Sequence, residues 1–217
     1  MKGLRPFVPA LLLSLLAFGL VAMIYAKLPL RVPVHWNISG EVDGSMIKPW
    51  GALVLPMTAL VTTLLLTILP LAGKGFGRGG VPKAYPIVVT AVAGFMLFVT
   101  AVQLLVAMNA RLSMPTLLTS ATGILLVIVG NYLGKVPRNR FIGIRVPWTL
   151  ASDYVWERTH RLAAPLTVMA GIAVLIVGLT QPAPRSVALM LAILTAALLP
   201  PVIYSYLLSR RNDRPGG

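Results

Sequence analysis

The run LAAPLTVMAGIAVLIVGLTQ, residues 162–181, decides the fold class of this chain. It carries no charged side chain over 20 residues, and a helix of that length crosses a hydrocarbon core of about 30 Å at about 1.5 Å per residue. Further uncharged runs of similar length lie at 7–26, 51–72, 85–109, 115–134 and 187–208. The sequence therefore predicts an all-α polytopic membrane protein with six transmembrane helices.

The composition places the whole chain in the membrane class. Hydrophobic residues make up 57% of it and charged residues only 11%, whereas a typical soluble domain has about 25% charged residues. No polar stretch is long enough to shield six apolar helices from water. The first run follows Lys2 and Arg5 as in a signal peptide, but its apolar core is too long, and we expect it to remain as a span.

The net charge of +14 raises the question of nucleic-acid binding, and the distribution of the charge answers it. With the amino terminus in the cytoplasm, only five of the 19 cations lie outside, namely Lys27, Arg31, Lys48, Arg111 and Arg185. The positive-inside rule describes such a bias. We therefore expect both termini in the cytoplasm and no direct binding to nucleic acid.

Two loops are long, and the other connections are short. Residues 27–50 form the first loop, on the extracytoplasmic side, and residues 135–161 form the second, on the cytoplasmic side. We accordingly predict two regions. Residues 1–84 form a two-span region that carries the outer loop, and residues 85–217 form a four-span region that carries the inner loop.

The inner loop ends in a predicted helix. Thr149 or Ser152 is a plausible N-cap, and Asp153 is well placed in the first turn for the helix dipole. No helix breaker follows until Pro165. We expect one helix that begins in the cytoplasm and enters the membrane as the fifth span, with a kink possible at the proline.

Asp153, Glu157 and His160 share one face of that helix. They could bind a divalent cation, pass protons, or form part of a docking surface. The sequence favours a fourth interpretation, an ion-paired network. The carboxylates would be neutralised by Arg138, Arg140, Arg145 or Arg161.

The outer loop reads LPLRVPVHWNISGEVDGSMIKPW over residues 28–50. Its prolines favour an extended path, and Ser39-Gly40 and Asp43-Gly44 are turn signals. His35, Glu41 and Asp43 could meet around a metal. The favoured interpretation is a folded lid held by hydrogen bonds, with Glu41 or Asp43 paired to Lys48.

Catalytic motifs are missing from the sequence. It contains no nucleophile elbow, P-loop, dinucleotide-binding or zinc-protease motif, and the six apolar runs contain no aspartate, glutamate, lysine, arginine or histidine. Zero cysteines exclude disulfides and thiolate metal sites. Enzymatic activity stays open but is not favoured, and we predict no catalytic residue, no bound metal and no cofactor.

Residues 130–161, GNYLGKVPRNRFIGIRVPWTLASDYVWERTHR, resemble the signature of the SdpI family of bacterial membrane proteins. That signature has the form GNY, K, a PN-type turn, GIRTPWTL, VW and THR. The outer loop is similar to the domain of unknown function that often precedes it. Two residues depart from the pattern: Val146 replaces the threonine of GIRTPW, and Ala164 replaces a glycine that often follows THR.

The resemblance implies a multi-pass protein of the bacterial cytoplasmic membrane with a role in immunity and signal transduction. The best-known members protect the producing cell from a secreted peptide toxin and recruit a soluble repressor to the membrane, and many members have no known toxin partner. The expected partners are the lipid bilayer, a peptide toxin outside and a repressor inside. The alternatives are a small-molecule or lipid transporter and a membrane-embedded metal-dependent enzyme.

The resemblance and the polar residues around it give the candidate sites. The resemblance implies a cytoplasmic functional surface of Gly143, Ile144, Arg145, Pro147, Trp148, Thr149, Val155, Trp156, Thr159, His160 and Arg161. Further candidates for partner binding or signalling are Asn131, Arg138, Asn139, Asp153 and Glu157. The candidates in the outer loop are Pro33, His35, Trp36, Asn37, Gly40, Asp43, Gly44 and Lys48.

Overall fold

A computed structural model describes residues 3–72, 76 and 81–212 of the chain. Helices dominate it, and one antiparallel hairpin interrupts them. The elements in chain order are α1 Val8–Ile24, β1 Arg31–Trp36, β2 Val42–Ile47, α2 Lys48–Ala72, α3 Ala84–Ala107, α4 Met114–Leu133, α5 Pro147–Ala151, α6 Asp153–Thr180 and α7 Arg185–Asn212.

Six of these helices are long and apolar enough to cross a membrane. Their most apolar windows have a mean hydropathy between 1.6 and 2.5, and each helix covers one of the uncharged runs of the sequence. The prediction of a six-span, predominantly helical membrane protein is therefore confirmed. The hairpin is a small β element that the all-α assignment did not include.

The hairpin also corrects one of the two predicted turns. The chain reverses at residues 37–41, where Gly40 has a φ of 90°, so the Ser39-Gly40 signal was right. Asp43 and Gly44 instead lie within β2. His35 pairs with Gly44 and Trp36 with Val42, which leaves Asp43 as the extra residue of a β-bulge.

The spanning helices form two groups. Helices α1, α2 and α3 pack on one another, and α4, α6 and α7 form the second group. Helix α3 also packs against α4 and thereby joins the groups. The division of the chain at residue 84 stays a prediction, since α3 has neighbours on both sides of it.

Helices α4 and α6 make the closest contact in the fold, and glycines line it. A Cβ built on Gly123 would lie 2.4 Å from the Leu175 nitrogen, and one on Gly171 would lie 2.7 Å from the Val127 nitrogen. A Cβ built on Gly130 would likewise lie 2.8 Å from the Val168 nitrogen. In a membrane, helices associate through van der Waals packing, and small residues let their backbones approach closely.

The two long loops lie at opposite ends of the bundle. At the hairpin end, a Cβ built on Gly40 would lie 3.3 Å from Pro115, where α4 begins. At the loop end, Val136 packs in one cluster with Phe7 and Tyr85, beside the start of α1 and of α3. The predicted placement of the loops on opposite faces agrees with this arrangement.

The glycine contact predicts the effect of an added methyl group. Gly171→Ala should destabilise the protein by about 1–3 kcal/mol, because the new Cβ meets the backbone of α4 rather than a flexible side chain. Gly19→Ala is the matched control, since Gly19 lies in α1 with no atom within 4 Å of a built Cβ. Thermal unfolding in detergent should show a lower midpoint for Gly171→Ala only. Equal midpoints for the two variants would contradict the close contact.

Candidate functional site: two polar loops at opposite ends of the bundle

The signature loop, residues 135–161, is built around the buried side chain of Asn139. Its Nδ2 donates to the carbonyl oxygens of Pro137 at 2.8 Å and Ile142 at 3.2 Å. Its Oδ1 accepts from the backbone nitrogens of Phe141 at 2.7 Å and Ile142 at 2.9 Å. One side chain thus satisfies four backbone groups of an irregular segment, as buried backbone requires.

His160 holds the next part of the loop from α6. The backbone N–H of Ile144 donates to its Nε2 at 2.9 Å, and its Nδ1 therefore carries the proton and donates to the Trp156 carbonyl at 2.8 Å. The imidazole is neutral in this arrangement, and only 1% of the residue is exposed. His160 is thus a structural acceptor for the loop.

Gly143 is the residue that lets the loop approach His160. Its φ is 114°, which L side chains rarely adopt. A Cβ at this position would lie 2.4 Å from His160 Nε2 and 3.0 Å from the Trp156 ring. Glycine is therefore required in the GIR motif, because another residue would strain the backbone and its Cβ would clash with His160.

Trp156 completes this buried group. Its ring stacks on the His160 imidazole with centroids 4.0 Å apart, and its Nε1 donates to the Val136 carbonyl at 3.0 Å. Thr159 is fully buried beside it and donates to the Val155 carbonyl at 2.6 Å. The VW and THR parts of the signature thus fix the loop to α6.

Thr149 organises the short helix α5. Its hydroxyl donates to the Ile144 carbonyl at 2.7 Å and accepts from the Val146 nitrogen at 3.1 Å. Pro147 is the first residue of α5, a position where its missing N–H costs nothing. Val146 is the N-cap and contributes no side-chain cap. Val146 replaces the threonine of the family signature, but Thr149 still makes the hydrogen bonds that hold this part of the loop.

Trp148 docks α5 onto the last helix. Its Nε1 donates to the Ser205 hydroxyl at 2.7 Å, and its ring meets the Tyr206 ring edge-on at 5.3 Å. The signature loop therefore contacts α6 on one side and α7 on the other. Trp148 therefore makes a specific contact with α7.

The start of α6 matches the sequence-based expectation. Ser152 is its N-cap and accepts from the Val155 nitrogen, and Asp153 lies in the first turn. Arg138 pairs with Asp153 at 2.7 Å and also donates to the Leu150 carbonyl at 2.6 Å. The helix continues through Pro165 to Thr180. An arginine partner for Asp153 and a single helix into the membrane are therefore confirmed.

The rest of the expected ion-paired network does not form. Within the described part of the chain, neither Arg161 nor another cation pairs with Glu157. Arg145 donates instead to the Arg140 carbonyl at 2.7 Å. The network interpretation was therefore right for one pair and wrong for the remainder, because Glu157 and Arg161 both point into solvent.

The metal interpretations lack a ligand set. Among residues 3–72, 76 and 81–212, no group of three or more histidine, cysteine, aspartate or glutamate side chains could hold a metal ion. Both ring nitrogens of His160 are already used within the loop. Asp153 and Glu157 instead line a polar cleft of about 350 Å³ together with Lys135 and Arg138.

The exposed part of the signature loop is basic. Arg140, Arg145, Arg158 and Arg161 are all exposed, and Arg158 lies over the Tyr154 ring at 5.5 Å. Asn131 is also exposed, two residues before α4 ends. The site residues predicted here thus divide into a buried set that builds the loop and an exposed set that faces solvent.

An aromatic cluster ties the signature loop to the N-terminal helices. Phe141 lies 5.4 Å from Phe76 and 6.4 Å from Tyr85, measured between ring centroids. Tyr85 also meets Phe7 at 6.0 Å, and its hydroxyl donates to the Leu66 carbonyl at 2.8 Å. The loop therefore packs on α3 directly, and through Tyr85 it joins a cluster that includes residues of α1 and α2.

The hairpin has its own organising asparagine. Asn37 Oδ1 accepts from the backbone nitrogens of Ser39 and Glu41, each at 3.0 Å, and its Nδ2 donates to Glu41 at 2.8 Å. His35 Nδ1 lies 2.5 Å from Asp43 Oδ1 across the strands. The prediction of a hydrogen-bonded lid is therefore confirmed.

The predicted pairing of Lys48 with Glu41 or Asp43 is wrong. The Lys48 ammonium instead lies over the Tyr25 ring, 4.7 Å from its centroid. The reversal of the chain at 37–41 places Glu41 beside Asn37, and the strand pairing places Asp43 beside His35. Both carboxylates thus find nearer partners than Lys48.

Gln103 on α3 anchors the hairpin to the bundle. Its Nε2 donates to the Pro33 carbonyl at 2.9 Å and to the Gly51 carbonyl at 3.0 Å. Gly51 lies in the first turn of α2, and a Cβ there would lie 2.8 Å from the Val32 Cβ. Gln103 is fully buried, so the hairpin is held by a hydrogen-bonded contact at its base.

A mainly apolar cavity lies beneath the hairpin. Its volume is about 390 Å³, within the usual range of ligand pockets of about 300–1,000 Å³. Trp36 of β1 lines it together with Leu55, Val99 and Met190, which come from α2, α3 and α7. Both helix groups therefore contribute walls to this cavity.

The comparisons with known proteins cover both loops. The SdpI/YfhL protein family matches residues 135–205, and the domain of unknown function DUF1648 matches residues 12–60. The immunity protein SdpI of Bacillus subtilis (strain 168) is 24% identical over 169 residues, which are 76% of this chain and 77% of that protein. Over residues 135–205 the chain therefore carries an SdpI/YfhL family segment, which agrees with the resemblance of its signature loop. No solved structure matches it.

Sequence reasoning missed three contacts that position the hairpin and the signature loop. Gln103 is the one amide of α3, and Tyr85 is the second residue of that helix. The glycines of α4 and α6 recur at intervals of seven residues, 123 and 130 on one helix and 171 and 178 on the other. That spacing was the available signal for a close helix contact.

The Gly143 geometry gives a test of the signature loop. Gly143→Ala should release the loop from α6, because the new Cβ would meet His160 Nε2 and the φ would be strained. Gly134→Ala is the control, with a built Cβ 3.4 Å from Ala164 and no unusual φ. Limited proteolysis in detergent should cut the loop several-fold faster in Gly143→Ala only. Equal cleavage of both variants would contradict this geometry.

Proposed function

We propose that this protein protects a bacterial cell from a secreted, membrane-active peptide and reports the peptide to a soluble cytoplasmic partner. The observation that carries the proposal is the similarity to the immunity protein SdpI, which extends over 76% of this chain. The geometry adds a physical reason, since both polar loops are folded and anchored rather than loose connections.

The hairpin is the proposed receiving face. It is held on the bundle by Gln103, and most of its surface is exposed. In this proposal the positive-inside bias sets the hairpin outside the cytoplasmic membrane and both termini inside. A peptide that approaches from outside would then meet the hairpin first.

The signature loop is the proposed reporting face. The Arg138–Asp153 pair lines a polar cleft of about 350 Å³ together with Lys135 and Glu157, and Arg140, Arg145, Arg158 and Arg161 are exposed elsewhere on the loop and at the start of α6. Such a surface favours a partner that presents acidic side chains, because complementary charge steers association. We propose that a soluble repressor docks here through Asn131, Arg145, Glu157 and Arg161.

Helix α3 connects the two faces physically. Gln103 near one end contacts the hairpin, and Tyr85 at the other end contacts Phe141 of the signature loop. A shift of the hairpin on binding a peptide would therefore act on the same helix that supports the loop. This supports signalling between the faces without an additional subunit.

Survival under peptide attack tests the proposed function. A peptide-sensitive bacterium that expresses this protein should survive a several-fold higher concentration of secreted antimicrobial peptide than cells with empty vector. Gly134→Ala should protect as well as the wild type, and Gly143→Ala should lose recruitment of the soluble partner. Unchanged killing by every peptide in a panel, with the protein present in the membrane, would contradict the proposal.

The cavity beneath the hairpin favours a second candidate, the handling of a lipid or small molecule. Its volume of about 390 Å³ and its apolar walls suit an apolar ligand. Purification from membranes followed by mass spectrometry of extracted lipids would test this candidate. A stoichiometric bound molecule would favour it, and a protein with no retained molecule would count against it.

A further inference from the structure

The hairpin leaves one strand edge open. Within residues 3–72, 76 and 81–212, its sheet contains the strands β1 and β2 and no third strand. Helices α2 and α3 approach β1, through Gly51 against Val32 and Gln103 on Pro33. The open edge therefore belongs to β2, residues Val42–Ile47.

The strand register determines which backbone groups face the open edge. Lys48 N–H donates to the Leu30 carbonyl at 2.8 Å, and Arg31 pairs with Ile47 in the next position. Hydrogen-bonded and non-hydrogen-bonded pairs alternate in an antiparallel ladder. The N–H and C=O groups of Ser45 and Ile47 therefore point away from β1.

The opposite strand supports this assignment. Pro33 is the partner of Ser45 and has no N–H, and its carbonyl points outward to Gln103 rather than to β2. The outward carbonyl of Pro33 is thus engaged by the bundle. The corresponding groups of β2 form a row of donors and acceptors that suits another extended chain.

An apolar groove lies next to this edge. Met46 of β2 lines it together with Trp50, Val54 and Met57 of α2, and its volume is about 360 Å³. Ile47 is 56% exposed and Trp50 is 59% exposed. The groove continues along α2 into the apolar run of that helix. A chain bound along β2 could therefore place its apolar side chains in this groove at the membrane surface.

We propose that β2 binds an extended segment of a membrane-active peptide by strand addition, with the apolar side chains of the peptide in the groove along α2. This rests on the proposed function and names the contact it requires. A peptide supplies alternating backbone donors and acceptors at the strand spacing, which a lipid chain lacks. The peptide would then lie half in the membrane and half on the hairpin.

Ser45 provides a substitution that acts on the edge alone. Ser45→Pro removes an outward N–H and places a ring on the open edge, while the ladder to β1 keeps its hydrogen bonds. Proline already occupies the opposite position, Pro33, within β1. Ser45→Ala is the matched control, because it removes the hydroxyl and keeps the N–H.

Binding of a synthetic strand tests the proposal. The probe is a fluorescein-labelled octapeptide of alternating valine and threonine, titrated against the full chain in lipid nanodiscs. Ser45→Pro should weaken its binding about tenfold or more, and Ser45→Ala should bind like the wild type. A probe methylated on alternate backbone nitrogens should bind weakly to all three proteins.

The outcomes that overturn the proposal are distinct from those that overturn the proposed function. If the probe does not bind the wild type, or binds Ser45→Pro equally well, strand addition is ruled out even if the protein protects cells. A wild type that is dimeric in detergent and becomes monomeric in Ser45→Pro assigns the edge to a second copy and also overturns it. Loss of protection in Ser45→Pro but not in Ser45→Ala supports both.

Discussion

The close contact between α4 and α6 is the constraint on which the rest of the structure depends. These two helices flank the signature loop, so their separation sets the distance that residues 135–152 must bridge. Gly123 and Gly171 bring the two backbones together in the membrane-spanning part. At the end of the same contact, His160 of α6 reaches the loop and accepts from the Ile144 nitrogen. A wider contact would remove the support of the loop.

Helix α3 links the signature loop to the hairpin at the other end of the bundle. A buried polar group left unpaired costs free energy. The Oε1 of Gln103 has no hydrogen-bond partner among the described residues, so its Nε2 makes the contacts. Gln103 donates to two backbone carbonyls, one of the hairpin and one of α2. At the opposite end Tyr85 joins the aromatic cluster that receives Phe141. The two polar loops are therefore parts of one packed unit.

The sequence predicts the helical spans well because each apolar run is a local property. The cap at Ser152, the first-turn Asp153 and the turn at Gly40 were equally local, and the structure has them. The attachment of the hairpin to Gln103 and the contact of Lys48 with Tyr25 depend on how segments that are separate in sequence meet, and the sequence does not specify them. A glycine spacing of seven residues was visible, but only the packing reveals that Val127 and Leu175 face those glycines.

The central claim is that one bundle holds the hairpin and the signature loop on opposite sides of a membrane. Because the chain has no cysteine, single variants at the exposed positions Ser39 and Arg140 can be labelled without background. In intact cells, a membrane-impermeant thiol reagent should label Ser39→Cys, and it should label Arg140→Cys only after the membrane is opened. Labelling of both variants in intact cells, or of Arg140→Cys alone, would contradict the account.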